Sequence, residues 1–481
     1  MNQAFNWKFF ERFTVALFQF AILLVFVRFV APNEMGLAII CLAIFHIVNS
    51  LFVNSLSNVL LQKDEVDELD YSTTVISQLV LATIFYLLLY GSAAIVASWL
   101  QSDVIAIALR IVGVTLFFYA VSSLYKVHMI RTVNYSALFF INVCSAMIAA
   151  IICFFLAIFQ YGLFAVLLWT FFYQFFSVLL MVLFYKWRPQ LRFSYQRLSA
   201  NVTDGWKLMV TSGVSALLMN GQRVAIGLVF NPAALSFYVR GERIPGVFTE
   251  QFTQTFRERL VLLFGKFKDD TVTLYLKLRD TVVLSGFVMF PLLTLLFVTA
   301  DGLVLLMFGE RWLMVVPFIR IFCVYYALLS VSYVFSQSME AMQSADEYNK
   351  LDLMKKGMLL LLWLISFPFG LQAVAGSMVV FIVISLFLNR FYLKKYINYS
   401  SVQLLKDLAP AFVLSCTMGI LIYLLHYILP SSIILIVFQF ILGALFYGVL
   451  AYFLKLQGWN LFVTTAKAFY RRISRKKLSA T

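Results

Sequence analysis

Charged side chains inside an otherwise apolar stretch are the first candidates for chemistry in this sequence. The stretch SFYVRGERIPG, residues 236–246, places Arg240, Glu242 and Arg243 within four residues, although the whole chain is 63% hydrophobic and only 12% charged. Arginine carries a planar fork of N–H donors that matches the oxygens of a phosphate group. The stretch therefore predicts a site for an anion, such as a phosphate or an acidic sugar.

The same segment separates its polar residues by direction if it is helical. At about 100° per residue, one arc of the helix carries Arg240, Arg243, Glu250, Gln251 and Gln254. Glu242 lies about 100° away from Arg243, so the three charges are not expected to form one cluster. Polar residues inside membrane spans are costly and usually face the bundle interior or a water-filled cavity. The arc therefore predicts an aqueous cavity on one side of this helix.

Polar residues in other apolar segments extend this candidate site. The substrate-binding residues that we predict are Arg223, Arg240, Arg243, Asn54, Asn58, Gln251 and Gln254. The three arginines exceed the acidic residues near them, which favours an anionic ligand. The alternative is structural: Arg240 with Glu242, or Arg243 with Glu250, would be ion pairs that join helices. The asparagines would then make interhelical hydrogen bonds worth about 1 kcal/mol each.

Other kinds of site lack their sequence signatures. The five cysteines lie in apolar segments without a CxxC motif, and the three histidines have no paired spacing, so we predict no metal site. The segment LFGKFKDD, residues 263–270, lacks the upstream glycine and the Ser/Thr of a nucleotide-binding P-loop. The predicted outer loops are too short for a catalytic domain. We therefore expect a protein that needs no cofactor and is not an enzyme.

Long apolar segments must position these residues. The mean hydropathy is +0.92, and apolar stretches of about 20 residues, each able to cross a bilayer core of about 30 Å, follow one another. Hydropathy alone leaves 233–257 doubtful, because this segment is polar. If it is counted as a span, thirty of the 37 lysines and arginines fall on one side and Arg311 alone lies in the short loops opposite. The sequence therefore predicts an all-α polytopic membrane protein with about 14 transmembrane helices and both termini in the cytoplasm.

The chain contains a weak internal repeat. RFVAPNEMG (28–36) and LVFNPAALS (228–236) each have a proline followed four residues later by a small residue, and Arg110 matches Arg320 in LRIVGV and IRIFCV. We therefore predict two six-helix lobes related by a parallel repeat, plus two C-terminal helices. The predicted divisions are 1–185 for the N-terminal lobe (helices 1–6), 186–207 for a cytoplasmic linker, 208–393 for the C-terminal lobe (helices 7–12), 409–454 for helices 13–14 and 455–481 for a basic cytoplasmic tail.

Two charged segments are interpreted as solvated cytoplasmic surfaces. QKDEVDELD, residues 62–70, is expected to be an acidic loop, and the tail AFYRRISRKKLSAT, residues 468–481, is a basic end that suits anionic lipid. The net charge of +15 comes from the basic residues of the other predicted cytoplasmic loops and of the tail. We therefore expect membrane lipid, and not nucleic acid, to be the partner of this charge.

Five motifs, in this order and spacing, carry a family resemblance. They are VRFVAPNEMG (27–36), NVLLQKDEVDELDYSTT (58–74), GLVFNPAALSFYVRGERIP (227–245), FGKFKDD (264–270) and LMFGERWLMVVPFIRIFCV (306–324). With them the chain resembles the polysaccharide branch of the multidrug/oligosaccharidyl-lipid/polysaccharide exporter superfamily, and within it the WzxC-like flippases. The resemblance covers most of residues 1–345. Family members often carry Asp where Gln222 stands, so a cation-coupling role at that position is in doubt.

The resemblance implies fourteen helices in two lobes and movement of a lipid-linked oligosaccharide from the inner to the outer leaflet. The expected substrate is an undecaprenyl-pyrophosphate-linked repeat unit of an exopolysaccharide or O-antigen, carried across the bacterial inner membrane by alternating access through a cationic cavity. Arg223, Arg240 and Arg243 would bind the pyrophosphate. Asn54, Asn58, Gln251 and Gln254 would hydrogen-bond the sugar. A polysaccharide polymerase and assembly proteins are the expected protein partners.

Two other functions stay open at this point. A cation-coupled multidrug exporter of the same superfamily would have the same fold, although its cavity should be acidic, and the arginine excess argues against it. A membrane enzyme such as an O-antigen polymerase or ligase has similar hydropathy, although such enzymes typically carry a large outer loop with catalytic arginines.

Overall fold

The protein is built from long helices, as the apolar segments predict. The computed structural model describes residues 2–63, 65–190, 192–266, 270–342, 345–394, 396–428 and 433–478, and these residues contain helices and no strand. Contacts divide the chain into two compact units, residues Met1–Ser236 and Phe237–Thr481. An all-helical architecture satisfies every backbone hydrogen bond inside its own segment, which a membrane interior requires.

The first unit holds the helices of the N-terminal half. Their bounds are α1 (Asn2–Phe29), α2 (Pro32–Val48), a π-helical turn (Asn49–Val53), α3 (Asn54–Gln62), α4 (Glu68–Trp99), α5 (Val104–Arg131), α6 (Tyr135–Ile158), α7 (Leu163–Phe184) and α8 (Tyr195–Val229). The π-helical turn joins α2 and α3, so that one predicted span, 37–61, contains both helices.

The second unit holds the remaining helices, and α9 begins just before its boundary. The bounds are α9 (Pro232–Lys266), α10 (Thr271–Val298), α11 (Ala300–Met307), a 3₁₀ turn (Glu310–Val315), α12 (Val316–Met342), α13 (Ala345–Ser366), a 3₁₀ turn (Phe367–Phe369), α14 (Leu371–Leu393), α15 (Ser401–Ile428), α16 (Ile433–Phe453) and α17 (Gln457–Leu478).

The helices coincide with the predicted spans, and the prediction of an all-α polytopic membrane protein is confirmed. Within the described residues, ten helices are long and apolar enough to cross a membrane. The other four of the predicted fourteen are also helices at the expected places: α1, with an apolar part of 16 residues, and the more polar α8, α9 and α13. The doubtful segment 233–257 lies wholly inside one helix, α9.

A network of charges at one end of the first unit corrects the interpretation of residues 62–70. Asp70 is only 1% exposed, and the Lys63 ammonium donates to both of its carboxylate oxygens, at 3.0 and 3.1 Å. Lys63 also donates to the Asn201 side chain at 3.1 Å, and Arg197 pairs with Asp67 at 2.9 Å. The expectation of a simple solvated loop is wrong for Asp70, because its carboxylate ties α3 and α4 to the start of α8.

A capping box fixes where α4 begins. The Asp67 side chain accepts from the backbone N–H of Asp70 at 2.8 Å, and the Asp70 side chain accepts from the backbone N–H of Asp67 at 3.3 Å. Each carboxylate thereby satisfies an N–H that has no partner within the helix. The hydrogen bond from the Asp70 N–H lowers the pKa of Asp67, and the nearby Arg197 charge lowers it further.

The second unit has its own charged network, between α10 and α15. Arg279 donates through Nε and one terminal nitrogen to the two oxygens of Asp407, both at 2.9 Å. The Tyr399 hydroxyl and the Gln403 amide also donate to this carboxylate, at 2.6 and 3.0 Å. Bidentate arginine–carboxylate pairs are the strongest of the charged hydrogen bonds, so this contact fixes α15 against α10.

The residues of the internal repeat occupy matching positions on their helices. Pro32 is the first residue of α2, and Pro232 is the first residue of α9, where a proline needs no N–H partner. Arg110 of α5 lies 4.4 Å from the centre of the Tyr90 ring of α4. Arg320, its counterpart on α12, lies 5.8 Å from the centre of the Phe297 ring of α10. Each unit therefore has an arginine over an aromatic ring at the same helix pair.

The two compact units and the two predicted lobes are different divisions of the chain. The boundary between the units follows Ser236, so α8 belongs to the first unit, where it packs against α2 and α3. The predicted lobe boundary lies at 186–207 and is defined by sequence repetition, whereas the units are defined by packing. The lobes stay a prediction.

The basic tail begins as a docked helix. The α17 helix starts at Gln457, whose side-chain amide donates to Asp280 of α10 at 3.1 Å. A side chain at Gly458 would meet Phe287 of α10, and Phe462 lies against the same ring with centroids 6.2 Å apart. The first turns of the predicted tail are therefore part of the packed second unit.

The buried carboxylate of Asp70 predicts a specific loss of stability. We expect Asp70→Asn to lower the free energy of unfolding by about 1.5–3 kcal/mol, the value of hydrogen bonds to charged groups, because Lys63 loses its counter-charge. The measurement is thermal unfolding of the purified protein in detergent. Asp67→Asn is the matched control: it changes the same chemistry in the same capping box at a half-exposed side chain, and we expect a loss below about 1 kcal/mol. Equal losses from both variants would contradict the role of burial.

Candidate functional site

The α9 helix carries most of the candidate residues, and glycine determines how it packs. A Cβ atom at Gly241 would lie 2.3 Å from the Phe318 Cβ of α12 and 3.1 Å from the backbone nitrogen of Ile319. Tyr238, one turn earlier, is buried against the rings of Phe318 and Phe322. The absence of a side chain at Gly241 thus allows α9 to approach α12 closely, which fixes the direction of every other side chain on α9.

The face of α9 that meets α12 continues past the proline. Pro245, Gly246 and Thr249 are buried, and a Cβ at Gly246 would lie 2.7 Å from the Tyr326 hydroxyl. Glu242 belongs to this side, because it lies four residues after Tyr238 and four residues before Gly246, and residues four apart share a face of a helix. Glu242 is therefore directed away from Arg243, as their angular separation on the helix predicts.

The charged residues Arg243 and Glu250 form an ion pair along α9. Arg243 donates through one terminal nitrogen to both carboxylate oxygens of Glu250, each at 3.1 Å. The two side chains remain 44% and 46% exposed. The sequence left open that Arg243 and Glu250 form an ion pair that joins two helices. They do form an ion pair, but both residues lie on α9, so the pair does not join two helices.

Arg240 and Gln251 are half-buried on α9. Arg240 lies eight residues after the start of the helix, so that about 12 Å of helix separates it from that end. The side chain of Gln254 lies outside the described residues. Of the four α9 residues in the predicted set, the structure thus describes three side chains, and it pairs Arg243 with Glu250, which the predicted set did not include.

The first unit contains the other three predicted residues, on α3 and α8. Close contacts of Gly205 with Val59, Gly213 with Leu51 and Gly227 with Ile40 show that α8 runs antiparallel along α3 and α2. Small residues at these positions let the two helix backbones approach, as is common in membrane bundles. The contacts also define the register in which the polar residues of the two helices face each other.

This register separates the predicted anion-binding and sugar-binding residues of the first unit. Arg223, half-buried on α8, acts electrostatically on His46 of α2. Asn58 of α3 follows His46 by twelve residues, which corresponds to about 18 Å of helix length. The side chain of Asn58 is exposed. The side chain of Asn54 lies outside the described residues. The structure does not bring Arg223 and Asn58 together, so they cannot contact the same small group.

The predicted set did not include two polar residues at the end of α2, His46 in its last turn and Asn49 at its C-cap. Asn49 is 2% exposed and begins the π-helical turn, and its side-chain oxygen has no hydrogen-bond partner among the described residues. His46 lies one turn earlier. A π-helical turn inserts one residue into the helix and frequently occurs at functional sites. The signal in the sequence was the series of polar residues from His46 to Asn58. Mean hydropathy does not reveal it, because the surrounding span stays apolar on average.

A buried polar cluster joins α3 to α4 and α5. The Gln78 amide of α4 donates to the Ser57 hydroxyl at 2.7 Å, Ser57 donates to Ser123 of α5 at 2.9 Å, and Ser123 donates to the Gln78 carbonyl at 3.3 Å. This closed triangle satisfies all three side chains, so it is a means of holding α3, α4 and α5 together.

The described residues contain no group of three or more metal-ligating side chains. The free cysteines Cys41, Cys153 and Cys323 are buried in the described core.

The chain matches known proteins by sequence over much of its length. A protein-family model described as "Polysaccharide biosynthesis protein" matches residues 25–317. The teichuronic acid biosynthesis protein TuaB of Bacillus subtilis is 22% identical over 270 residues, which cover 55% of this chain and 55% of that protein. The lipopolysaccharide biosynthesis protein WzxC of Escherichia coli is 26% identical over 145 residues, 30% of each chain. The chain thus matches about half or less of the length of these curated relatives.

Solved structures share the fold at low sequence identity. The structure described as "Lipid II flippase MurJ, inward closed conformation" superposes with a TM-score of 0.72 at 14% identity, covering 94% of this chain and 99% of that one. An inward-facing multidrug resistance transporter of the MATE family has a TM-score of 0.61 at 12% identity, covering 80% and 96%. At these identities the likeness establishes the arrangement of helices and nothing about the ligand.

The close approach at Gly241 predicts a packing-sensitive position. We expect Gly241→Ala to lower the free energy of unfolding by about 1–3 kcal/mol, because the added methyl overlaps Phe318 and backbone atoms of α12. Thermal unfolding in detergent measures the loss. Gly357→Ala on α13 is the matched control, since no atom lies within 4 Å of its added Cβ. The control should be neutral or slightly stabilising because alanine favours the helix. A neutral Gly241→Ala would contradict the packing described here.

Proposed function

Because the chain belongs to the polysaccharide biosynthesis protein family, we propose that it translocates a lipid-linked oligosaccharide from the inner to the outer leaflet of a bacterial inner membrane. The substrate is an undecaprenyl-pyrophosphate-linked repeat unit for an exopolysaccharide, an O-antigen or another cell-surface polymer. Both termini lie in the cytoplasm in this proposal, and the chain acts as a transporter without a catalytic step or a cofactor.

The observation that carries the proposal is the position of two arginines inside polar membrane helices. Arg223 lies six residues before the end of α8, and Arg240 lies eight residues after the start of α9, so about 9 and 12 Å of helix separate them from these ends. Both are half-buried. A guanidinium is costly at such a position in a membrane helix and marks a ligand path by default. Its planar fork suits the oxygens of a pyrophosphate.

The relatives support the class of substrate. TuaB and WzxC are named for teichuronic acid and lipopolysaccharide biosynthesis, and MurJ is named as a flippase for lipid II. Two of these names refer to the biosynthesis of a polysaccharide or lipopolysaccharide, and the third refers to the flipping of a lipid. A pyrophosphate headgroup and an oligosaccharide are the parts of such a substrate that must leave water, and the prenyl chain can remain in lipid throughout.

In this mechanism the two repeated halves alternate between inward-open and outward-open arrangements around one site. Arg223, Arg240 and Arg243 bind the pyrophosphate, and Asn54, Asn58, Gln251 and Gln254 hydrogen-bond the sugars. Glu250 pairs with Arg243, so that binding of the pyrophosphate by Arg243 requires this pair to open. A polysaccharide polymerase and assembly proteins take up the product on the outer side.

The superfamily resemblance also includes drug exporters, but no observation on these helices favours a cationic drug as the ligand. The α9 segment from Arg240 to Glu250 carries two arginines and two glutamates and is therefore neutral overall. Arg223 adds positive charge on α8. A cationic drug would require an acidic cavity, and these residues do not supply an excess of acidic charge.

Export in cells tests this assignment. We expect Arg240→Ala and Arg223→Ala to reduce polymer export at least about tenfold, because the loss of a charged partner for a buried anion costs 2–5 kcal/mol. Arg243→Ala should also reduce export, since Arg243 is the third arginine assigned to the pyrophosphate. The measurement is surface polymer in a deletion strain that expresses each variant at equal level, together with the lipid-linked intermediate that accumulates. Arg311→Ala, in an exposed position outside the long helices, is the control and should export normally.

Two results would contradict the proposal. Normal export by both Arg240→Ala and Arg223→Ala would remove the anion site from these positions. If a deletion strain accumulates no lipid-linked intermediate but becomes sensitive to cationic drugs, the protein is a drug exporter and not a flippase.

A further inference from the structure

The Arg243–Glu250 pair has an unusual span for an ion pair within one helix. The partners are seven residues apart, whereas favourable helical pairs are three or four residues apart. Seven residues correspond to about 10.5 Å of helix rise, so both side chains must extend toward each other along the axis. Extending two long side chains costs rotamer freedom. The pair is therefore weaker than its distances of 3.1 Å suggest.

Exposure weakens the pair further and makes it accessible. Both side chains are nearly half exposed, at 44% and 46%. Double-mutant measurements on exposed ion pairs typically give small coupling energies because water screens the charges. A ligand that enters the polar side of α9 can therefore reach the guanidinium and the carboxylate without first unpacking the helix from α12.

The geometry of the pair leaves the planar fork of Arg243 poorly used. Both hydrogen bonds to Glu250 come from the same terminal nitrogen. A phosphate group binds an arginine most favourably through two nitrogens in parallel, and it carries more charge than one carboxylate. Pyrophosphate is therefore a stronger partner for Arg243 than Glu250 is. The other nearby carboxylate, Glu242, lies between Tyr238 and Gly246 on the face of α9 that packs against α12, and not on the arc of Arg243 and Glu250.

We propose that Glu250 is an internal competitor for the substrate anion. It holds Arg243 while the site is empty, releases it to the pyrophosphate of the incoming substrate and reclaims it when the substrate leaves. The inference rests on the proposed function, and it adds to that function a residue whose task is release. A site whose arginines had no competing carboxylate would bind pyrophosphate tightly and release it slowly. When Glu250 pairs with Arg243 again, the new ion pair replaces the contact that the departing ligand made.

Two variants separate competition from a general effect of charge. Glu250→Gln removes the charge and keeps the length of the side chain. Glu250→Asp keeps the charge, but its side chain is one methylene shorter and does not span two helical turns to Arg243. Both variants should free Arg243 for the ligand. Glu242→Gln is the matched control, because it removes the same charge from the same helix on the face that packs against α12.

Binding of inorganic pyrophosphate to the full chain, purified in detergent, is the first measurement. By titration calorimetry we expect Glu250→Gln and Glu250→Asp to bind pyrophosphate about two- to fivefold more tightly than the unaltered protein, the factor that an exposed ion pair is worth. Glu242→Gln should bind as the unaltered protein does. When Arg243 is already alanine, Glu250→Gln should not change the pyrophosphate affinity further, because Glu250 affects binding only through its contact with Arg243.

Polymer export by cells is the second measurement. Glu250→Gln should export more slowly than the unaltered protein at equal expression level, although it binds the anion more tightly. A residue that merely supports the fold would weaken binding and export together. Unchanged or weaker pyrophosphate binding by both Glu250 variants, or equal tightening by Glu242→Gln, would overturn the inference while leaving the flippase assignment intact. If the unaltered protein and the Arg240→Ala variant bind pyrophosphate equally, the proposed function itself fails.

Discussion

Charge inside a helix that crosses a membrane has to be compensated, and this constraint organises the structure. Bringing an ion out of water costs several kcal/mol, and a partner with good geometry has to offset that cost. Lys63 and Asp70 join three helices of the first unit in this way, and Arg279 and Asp407 join α10 to α15 in the second. These contacts join neighbouring helices and thereby anchor the scaffold. In the proposed function, Arg223 and Arg240 bring the same constraint to α8 and α9, where the substrate anion is a partner for their charge.

The α9 helix connects this constraint to function because its two faces have different tasks. One face carries Tyr238, Gly241 and Gly246 and packs closely against α12. That contact fixes the rotation of the helix about its axis. Arg243 and Glu250 are then held on an accessible face, where they form a long and weak pair. Rigid packing on one side is thus the condition for an exchangeable ion pair on the other, because a helix free to rotate would bury these charges or expose them to lipid.

Much of the fold could be predicted from the sequence because hydropathy and basic residues act through the bilayer, which is a uniform solvent. The same reasoning assigned α9 as a helix from the charges of distant loops. It was wrong about Asp70, whose carboxylate is buried and paired with Lys63, while Lys63 also donates to Asn201. A linear pattern does not reveal that residues 138 positions apart meet, since their contact depends on how α8 returns along α3.

The sequence by itself determined the class of protein, the places of its helices and the arc of α9 that carries arginine, because helical periodicity converts spacing into direction without further information. The tertiary structure alone decided which of those polar residues have partners. It paired Arg243 with Glu250, turned Glu242 toward α12 and separated Arg223 from Asn58 along the α2–α8 contact. The physical reason is that the state of a charge depends on its neighbours within a few ångströms, and packing of helices, not spacing along one helix, chooses those neighbours.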